Sequence, residues 1–241
     1  MGIKRARWSR YPAVTRRRDP CRMQTLALLP PPLVKPKLRG WSHLLAFFFA
    51  CAGAAALARG AAPGSMALAA VYSASLAALL GTSALYHCPA WSLGARRVLR
   101  RFDHSAIFVL IAGTFTPLAR VLDPPHARWL LGVAWTAALL GVARAMFWPG
   151  APKKLVAAQA VLTGWLAIAF APALLHALDG TTLGLLALGG LLYSAGAAIY
   201  AFRRPDPWPR VFGFHEVFHL LVIAAAVAHF TAVWRVLVPG S

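Results

Sequence analysis

Seven apolar runs, separated by short polar breaks, constrain this chain more than any other feature of its sequence. They fall near residues 41–58, 65–87, 103–122, 128–148, 154–178, 182–202 and 212–237. A bilayer core about 30 Å thick asks for roughly 17 to 25 mostly apolar residues per helix, the length that these runs offer. In lipid each backbone N–H and C=O must be satisfied within the protein, and a run of this length does so by becoming a helix. The expected fold is therefore all-α, a polytopic seven-helix membrane bundle over residues 41–238. Composition agrees, with 59% hydrophobic and 13% charged residues and a mean hydropathy of +0.62, where soluble domains carry about 25% charged residues.

The net charge of +19 raises nucleic-acid binding as a possibility. That function needs basic residues interleaved on a folded polar surface, whereas here they fall between apolar runs, so no nucleic-acid partner is expected. The charge reports topology instead. Lys and Arg accumulate in cytoplasmic loops, and here they gather in the first forty residues, then at Arg96, Arg97, Arg100 and Arg101, at Lys153 and Lys154, and at Arg203, Arg204 and Arg210. The alternate loops are poor in them. This pattern places the N-terminus inside, the C-terminus outside and the chain in a plasma membrane, on the bacterial inner-membrane plan. Residues 1–40 carry eleven Lys or Arg and one Asp, and Pro30, Pro31, Pro32 and Pro36 interrupt any helix there. They are expected to form a disordered basic arm, with no secretory signal and with Met23 as a second candidate start.

Cys21, Cys51 and Cys88 are too few and too scattered for a disulfide framework. Cys88 adjoins His87, but neighbours on a helix point about 100° apart, which argues against joint ligation. Pro117 and Pro172 sit inside apolar runs and are expected to kink their helices, with Thr114 and Thr116 near enough to Pro117 to re-satisfy freed carbonyls.

Ionisable groups at membrane depth are costly and mark candidate sites. Outside the loops the sequence holds His43, His87, Asp103, His104, His176, His215, Glu216, His219 and His229. Topology sorts them. The second run ends inside at Ser83-Ala84-Leu85-Tyr86-His87, the third starts there with Phe102-Asp103-His104, and the seventh starts there with His215-Glu216-Val217-Phe218-His219. His215 and His219 are four apart, so they share one helix face about 6 Å apart in rise and can bind one ion. His87 is the best-placed third ligand. Ser83 lies one turn before it, and Asp103 can hold or deprotonate a water. Three imidazoles with an open water position form the donor set of a catalytic zinc site, although histidines also suit iron, copper or nickel.

The plainer reading keeps the same residues as helix anchors at the headgroups, with Asp103 paired to Arg100 or Arg101. His43 and His104 read as interfacial, His126 and His176 lie toward the outer face, and His229 reads as a hydrogen-bonded core histidine. His215 to His219 also matches His-Glu-x-x-His, in which the glutamate is the base of a metalloprotease. Leu178-Asp179-Gly180 is similar to a motif of intramembrane proteases, but it precedes the histidines and falls in an outer loop.

At these residues the chain resembles the haemolysin III family, within the wider group that contains the progestin and adipoQ receptors and, more distantly, the alkaline ceramidases. The resemblance rests on Ser83 to His87, on Arg101-Phe102-Asp103-His104-Ser105-Ala106-Ile107 running to Gly113-Thr114-Phe115-Thr116-Pro117, and on His215 to His219 running to His229-Phe230. It covers roughly residues 38–238, and only the long basic arm departs from it. The resemblance implies zinc held by His87, His215 and His219, with Asp103 reaching it through water, Ser83 nearby and Glu216 inessential. It implies a hydrolase of lipid amides such as ceramides, with membrane lipid as partner. Two alternatives stay open: a pore-forming haemolysin, and a receptor-like regulator with structural zinc.

Overall fold

The computed structural model describes residues 35–240. The basic arm over 1–34, with Cys21 and Met23, lies outside the described residues. Among the described residues, seven helical segments of membrane-crossing length follow one another. The helices are α1 (Trp41–Gly60), α2 (Met66–His87), α3 (Leu93–Leu118), α4 (Pro124–Phe147), α5 (Lys153–Gly164), α6 (Ala171–Ala177), α7 (Gly180–Phe202) and α8 (Phe214–Leu237). α5 and α6 together make the fifth crossing.

Three local features differ from the sequence expectation. The third crossing begins at Leu93, about ten residues before the apolar run, because Ser92 caps the helix by accepting from the Ala95 N–H at 3.3 Å. The arginines at 96, 97, 100 and 101 therefore lie on helical turns that precede the apolar stretch, instead of in a loop. The fifth crossing is broken: six residues, Trp165–Phe170, wind as a 3-10 helix, and α6 restarts with Pro172 in its first turn. A proline has no N–H to lose there, so the expected kink becomes a restart. Near Pro117, Thr114 and Thr116 donate to the Leu110 and Ala112 carbonyls, each at 2.9 Å. The carbonyl that a proline frees is the one four residues earlier, that of Gly113, so the threonines serve other groups than expected.

Around the bundle α1 packs on α2, α2 on α3, α3 on α4, α4 on α5, α5 on α7, α7 on α8 and α8 on α1. α3 also reaches α8 and α5, and it is the most buried crossing. Helices in lipid associate by close backbone approach at small residues. Accordingly Gly113 of α3 meets Ser75 of α2, Gly141 of α4 lies on the Phe108 ring, and Gly189 of α7 lies on His229. Large apolar side chains such as Phe48, Phe49, Leu139, Leu140 and Leu162 point outward. In water such a surface would aggregate, and in a bilayer it is the lipid face.

Residues 35–40, assigned to the arm on sequence grounds, strap across the basic end of the bundle. Lys37 and Leu38 donate their N–H groups to the Arg210 and Val211 carbonyls, both at 3.1 Å, and Lys35 Nζ donates to the Cys88 carbonyl at 2.9 Å. Gly40 ends the strap in a left-handed conformation, φ +88°.

Candidate metal centre

Three helix ends meet at the basic end of the bundle. α2 presents Ser83 and His87 one turn apart, α3 presents Asp103, and α8 presents His215 and His219 from its first two turns. All five side chains are buried. His87 Nε2 lies 3.1 Å from His215 Nε2, and the rings of His215 and His219 stand 4.5 Å apart between centroids. One nitrogen from each of His87, His215 and His219 falls within 4.8 Å of the other two, and among the described residues this is the group able to hold a metal ion. Two nitrogens bound tetrahedrally at about 2.0–2.1 Å from one ion stand about 3.3 Å apart, so the His87–His215 pair already has nearly that spacing. A neutral, all-imidazole donor set in apolar surroundings fits a borderline metal ion.

Asp103 Oδ2 lies 4.0 Å from His87 Nε2, a separation that one water can bridge. The Ser83 hydroxyl is within hydrogen-bonding reach of the same carboxylate. Asp103 forms no ion pair with an arginine among the described residues. The plainer reading of Asp103 as a partner for Arg100 or Arg101 is thus replaced by one in which it faces the histidines.

Glu216, the base in the metalloprotease reading and inessential by the resemblance, turns away from them. Its Oε1 pairs with Arg39 of the strap, and its Oε2 accepts the Gly213 N–H at 2.7 Å. The glutamate thus caps the start of α8 and ties the strap to it, so the geometry of the His-Glu-x-x-His pattern does not match a metalloprotease. Asp179 of the other protease-like motif caps α7, accepting from the Thr181 and Thr182 N–H groups at 2.9 and 3.1 Å.

Two histidines read as interfacial are not. His43 is only 2% exposed, and its ring lies parallel on that of His219, with centroids 3.8 Å apart and planes 7° apart. His104 is buried beside Asp103, and its Nδ1 has no hydrogen-bond partner. The topological sorting held a signal for His43, since α1 starts at the same end of the bundle as the other site residues. His229 is hydrogen-bonded as expected, to the Leu186 carbonyl at 3.1 Å. His126 pairs with Asp123 at the far end of the bundle.

A cavity of about 430 Å³ runs from this cluster into the bundle. His43, Ser83, Asp103, His215 and His219 line one end of it. Leu174, Leu183 and His229 line the other, and most of the wall between them is apolar. The broken fifth crossing contributes Val156, Trp165, Ile168 and Leu175, so the 3-10 segment forms part of the cavity wall.

The fold and site define an integral, multi-pass membrane protein with seven crossings among the described residues and a buried three-histidine cluster able to hold a metal. Residues 32–230 match the family described as Haemolysin-III related, and the chain belongs to that family. It is 32% identical to Hemolysin-3 of Bacillus cereus over 173 residues, 70% of this chain and 74% of that protein. The Hemolysin-3 homolog of Bacillus subtilis is 35% identical over 137 residues, 56% of this chain and 62% of that protein. The human Monocyte to macrophage differentiation factor is 28% identical over 177 residues, 69% of each chain.

Proposed function

We propose that this chain is a zinc-dependent intramembrane hydrolase of amide-linked lipids, embedded in a plasma membrane with its site toward the cytoplasmic side. The observation that carries the reading is the position of three imidazoles, a carboxylate and a hydroxyl at the head of a long apolar cavity. His87, His215 and His219 would hold the ion, which when bound supplies Lewis acidity for a carbonyl oxygen and acidifies water. Asp103 Oδ2, beside His87, holds the attacking water and takes its proton, then returns it to the leaving amine nitrogen. Ser83 keeps the carboxylate oriented, and the apolar walls accept an acyl chain while excluding bulk water.

The name of the Bacillus relatives raises a second reading, lysis of membranes by a pore. A water-filled pore needs polar residues along whole helix faces, whereas here the polar groups gather at one end and the cavity wall beyond them is apolar. Leakage from liposomes that persists in the metal-free protein would favour the pore.

The test combines elemental analysis of the purified protein with lipid-amide cleavage. One bound zinc per chain is expected, lost with its activity in His215→Ala. Asp103→Asn is expected to keep the metal and lose about 10²- to 10⁴-fold in turnover, the usual contribution of a positioned acid–base group. A protein without bound metal, or a His215→Ala variant that keeps both metal and cleavage, refutes the reading.

A further inference from the structure

A metal-bound histidine normally donates its second ring N–H to a carboxylate or carbonyl, which sets the plane of the ring and the nitrogen that it aims at the ion. His219 lacks such a partner: its Nδ1 is buried and makes no hydrogen bond. Its ring is instead covered face-on by His43, in a parallel stack with centroids 3.8 Å apart. His43 comes from the first turn of α1 and is almost wholly enclosed. Neither of its nitrogens has a side-chain hydrogen-bond partner, and the backbone of His219 lies within reach of the ring. It follows Gly40, whose Cα rests against His87 so closely that an added Cβ would fall 2.7 Å from the His87 Cβ. The start of α1 therefore touches two of the three candidate ligands, one through its backbone and one through the His43 ring.

We propose that His43 is a positioning residue of the metal centre, holding the His219 ring in its ligating plane by parallel stacking in place of the missing hydrogen bond. The inference rests on the three-histidine centre proposed above. A flat, neutral ring is what this role requires. It fills the slot beside His219, resists rotation of that ring about its Cβ–Cγ bond, and places electron density against an imidazole that donates to a cation. The contact is made by the ring face, so a carbocyclic ring can replace it, whereas an aliphatic side chain of similar volume cannot.

Two variants separate this role from simple packing. His43→Phe keeps a flat ring, and His43→Leu fills the space without one. Both are purified in detergent and loaded with Zn²⁺ or Co²⁺, and metal affinity is read by competition with a chromogenic chelator, alongside the visible spectrum of the Co²⁺ form. His43→Leu is expected to lose about 10- to 100-fold in metal affinity, the range typical of residues that orient a ligating histidine, with an altered Co²⁺ spectrum. His43→Phe is expected to stay close to wild type on both counts. Equal losses in the two variants, or an unchanged His43→Leu, overturn the stacking role while leaving the metal centre standing. A wild-type protein that binds neither ion overturns the centre itself, and this inference with it.

Discussion

Adding one methyl group at Gly40 tests whether the strap sets the geometry of the candidate metal centre. Gly40 has φ +88°, a conformation that costs an L-residue roughly 1–2 kcal/mol. A Cβ there would also lie 2.7 Å from the His87 Cβ and 2.9 Å from the Cys88 sulfur. Ordinary carbon–carbon contact begins at about 3.5 Å, so Gly40 and His87 must move apart by about 0.8 Å. Metal sites tolerate errors of only about 0.2 Å in ligand distance, so this displacement exceeds what the site can absorb. Gly64 supplies the control. Its φ is +80°, but an added Cβ there meets nothing within 4 Å. Gly64→Ala is therefore expected to lose stability to backbone strain alone, and Gly40→Ala to lose more because the clash adds to the strain, both read by thermal unfolding in detergent. If the centre takes zinc as proposed, only Gly40→Ala is expected to lose it in elemental analysis. A Gly40→Ala protein with wild-type zinc content, or a Gly64→Ala protein that loses its zinc, would refute the reasoning.

Two further outcomes follow from the charges outside the candidate centre. Arg39→Met leaves Glu216 buried without its ionic partner and should destabilise the protein by about 3 kcal/mol, the low end of what breaking a buried pair costs. Adding Glu216→Gln should restore much of the loss, and denaturant titration of the single and double variants reads both. Asp179, whose carboxyl is held down to about 2 chiefly by the Thr182 hydroxyl and N–H, binds its proton less readily when folded than when unfolded. Its contribution is thus complete above the ordinary aspartate range and disappears as pH falls toward about 2. The gap in melting temperature between wild type and Asp179→Asn should be widest at pH 6 and narrow steadily as pH falls toward about 2. A gap that does not change with pH would contradict the cap.

The parts legible in the sequence are those governed by local rules. Apolar length marked all seven crossings, and four-residue spacing put His215 and His219 on one helix face. Loop charge then brought Ser83, His87 and Asp103 to the same end of the bundle, where the structure has them. The misreadings involve partners distant in sequence. Glu216 looked undecided because its partner, Arg39, lies 177 residues away in what read as a disordered arm. His43 stood alone in an apolar run, with nothing at a fixed spacing to show that it faces His219. The broken fifth crossing was half visible: Pro172 signalled a disturbance, but whether a helix kinks there or unwinds into a 3-10 turn before restarting depends on its neighbours. The helical start of the third crossing was hidden because a cluster of arginines resembles a loop when only hydropathy is considered.

The candidate ligands come from both halves of the chain, His87 from α2 and the other two from α8, with most of the crossings in between. A ribosome therefore delivers His87 and Asp103 long before their companions exist. Until α8 emerges, no partial product carries more than one of the three nitrogens. A chain cut short anywhere before α8 can hold a bundle fragment but not the centre. The three-histidine group is thus complete only when the chain is, and an ion bound there would tie the second crossing to the last.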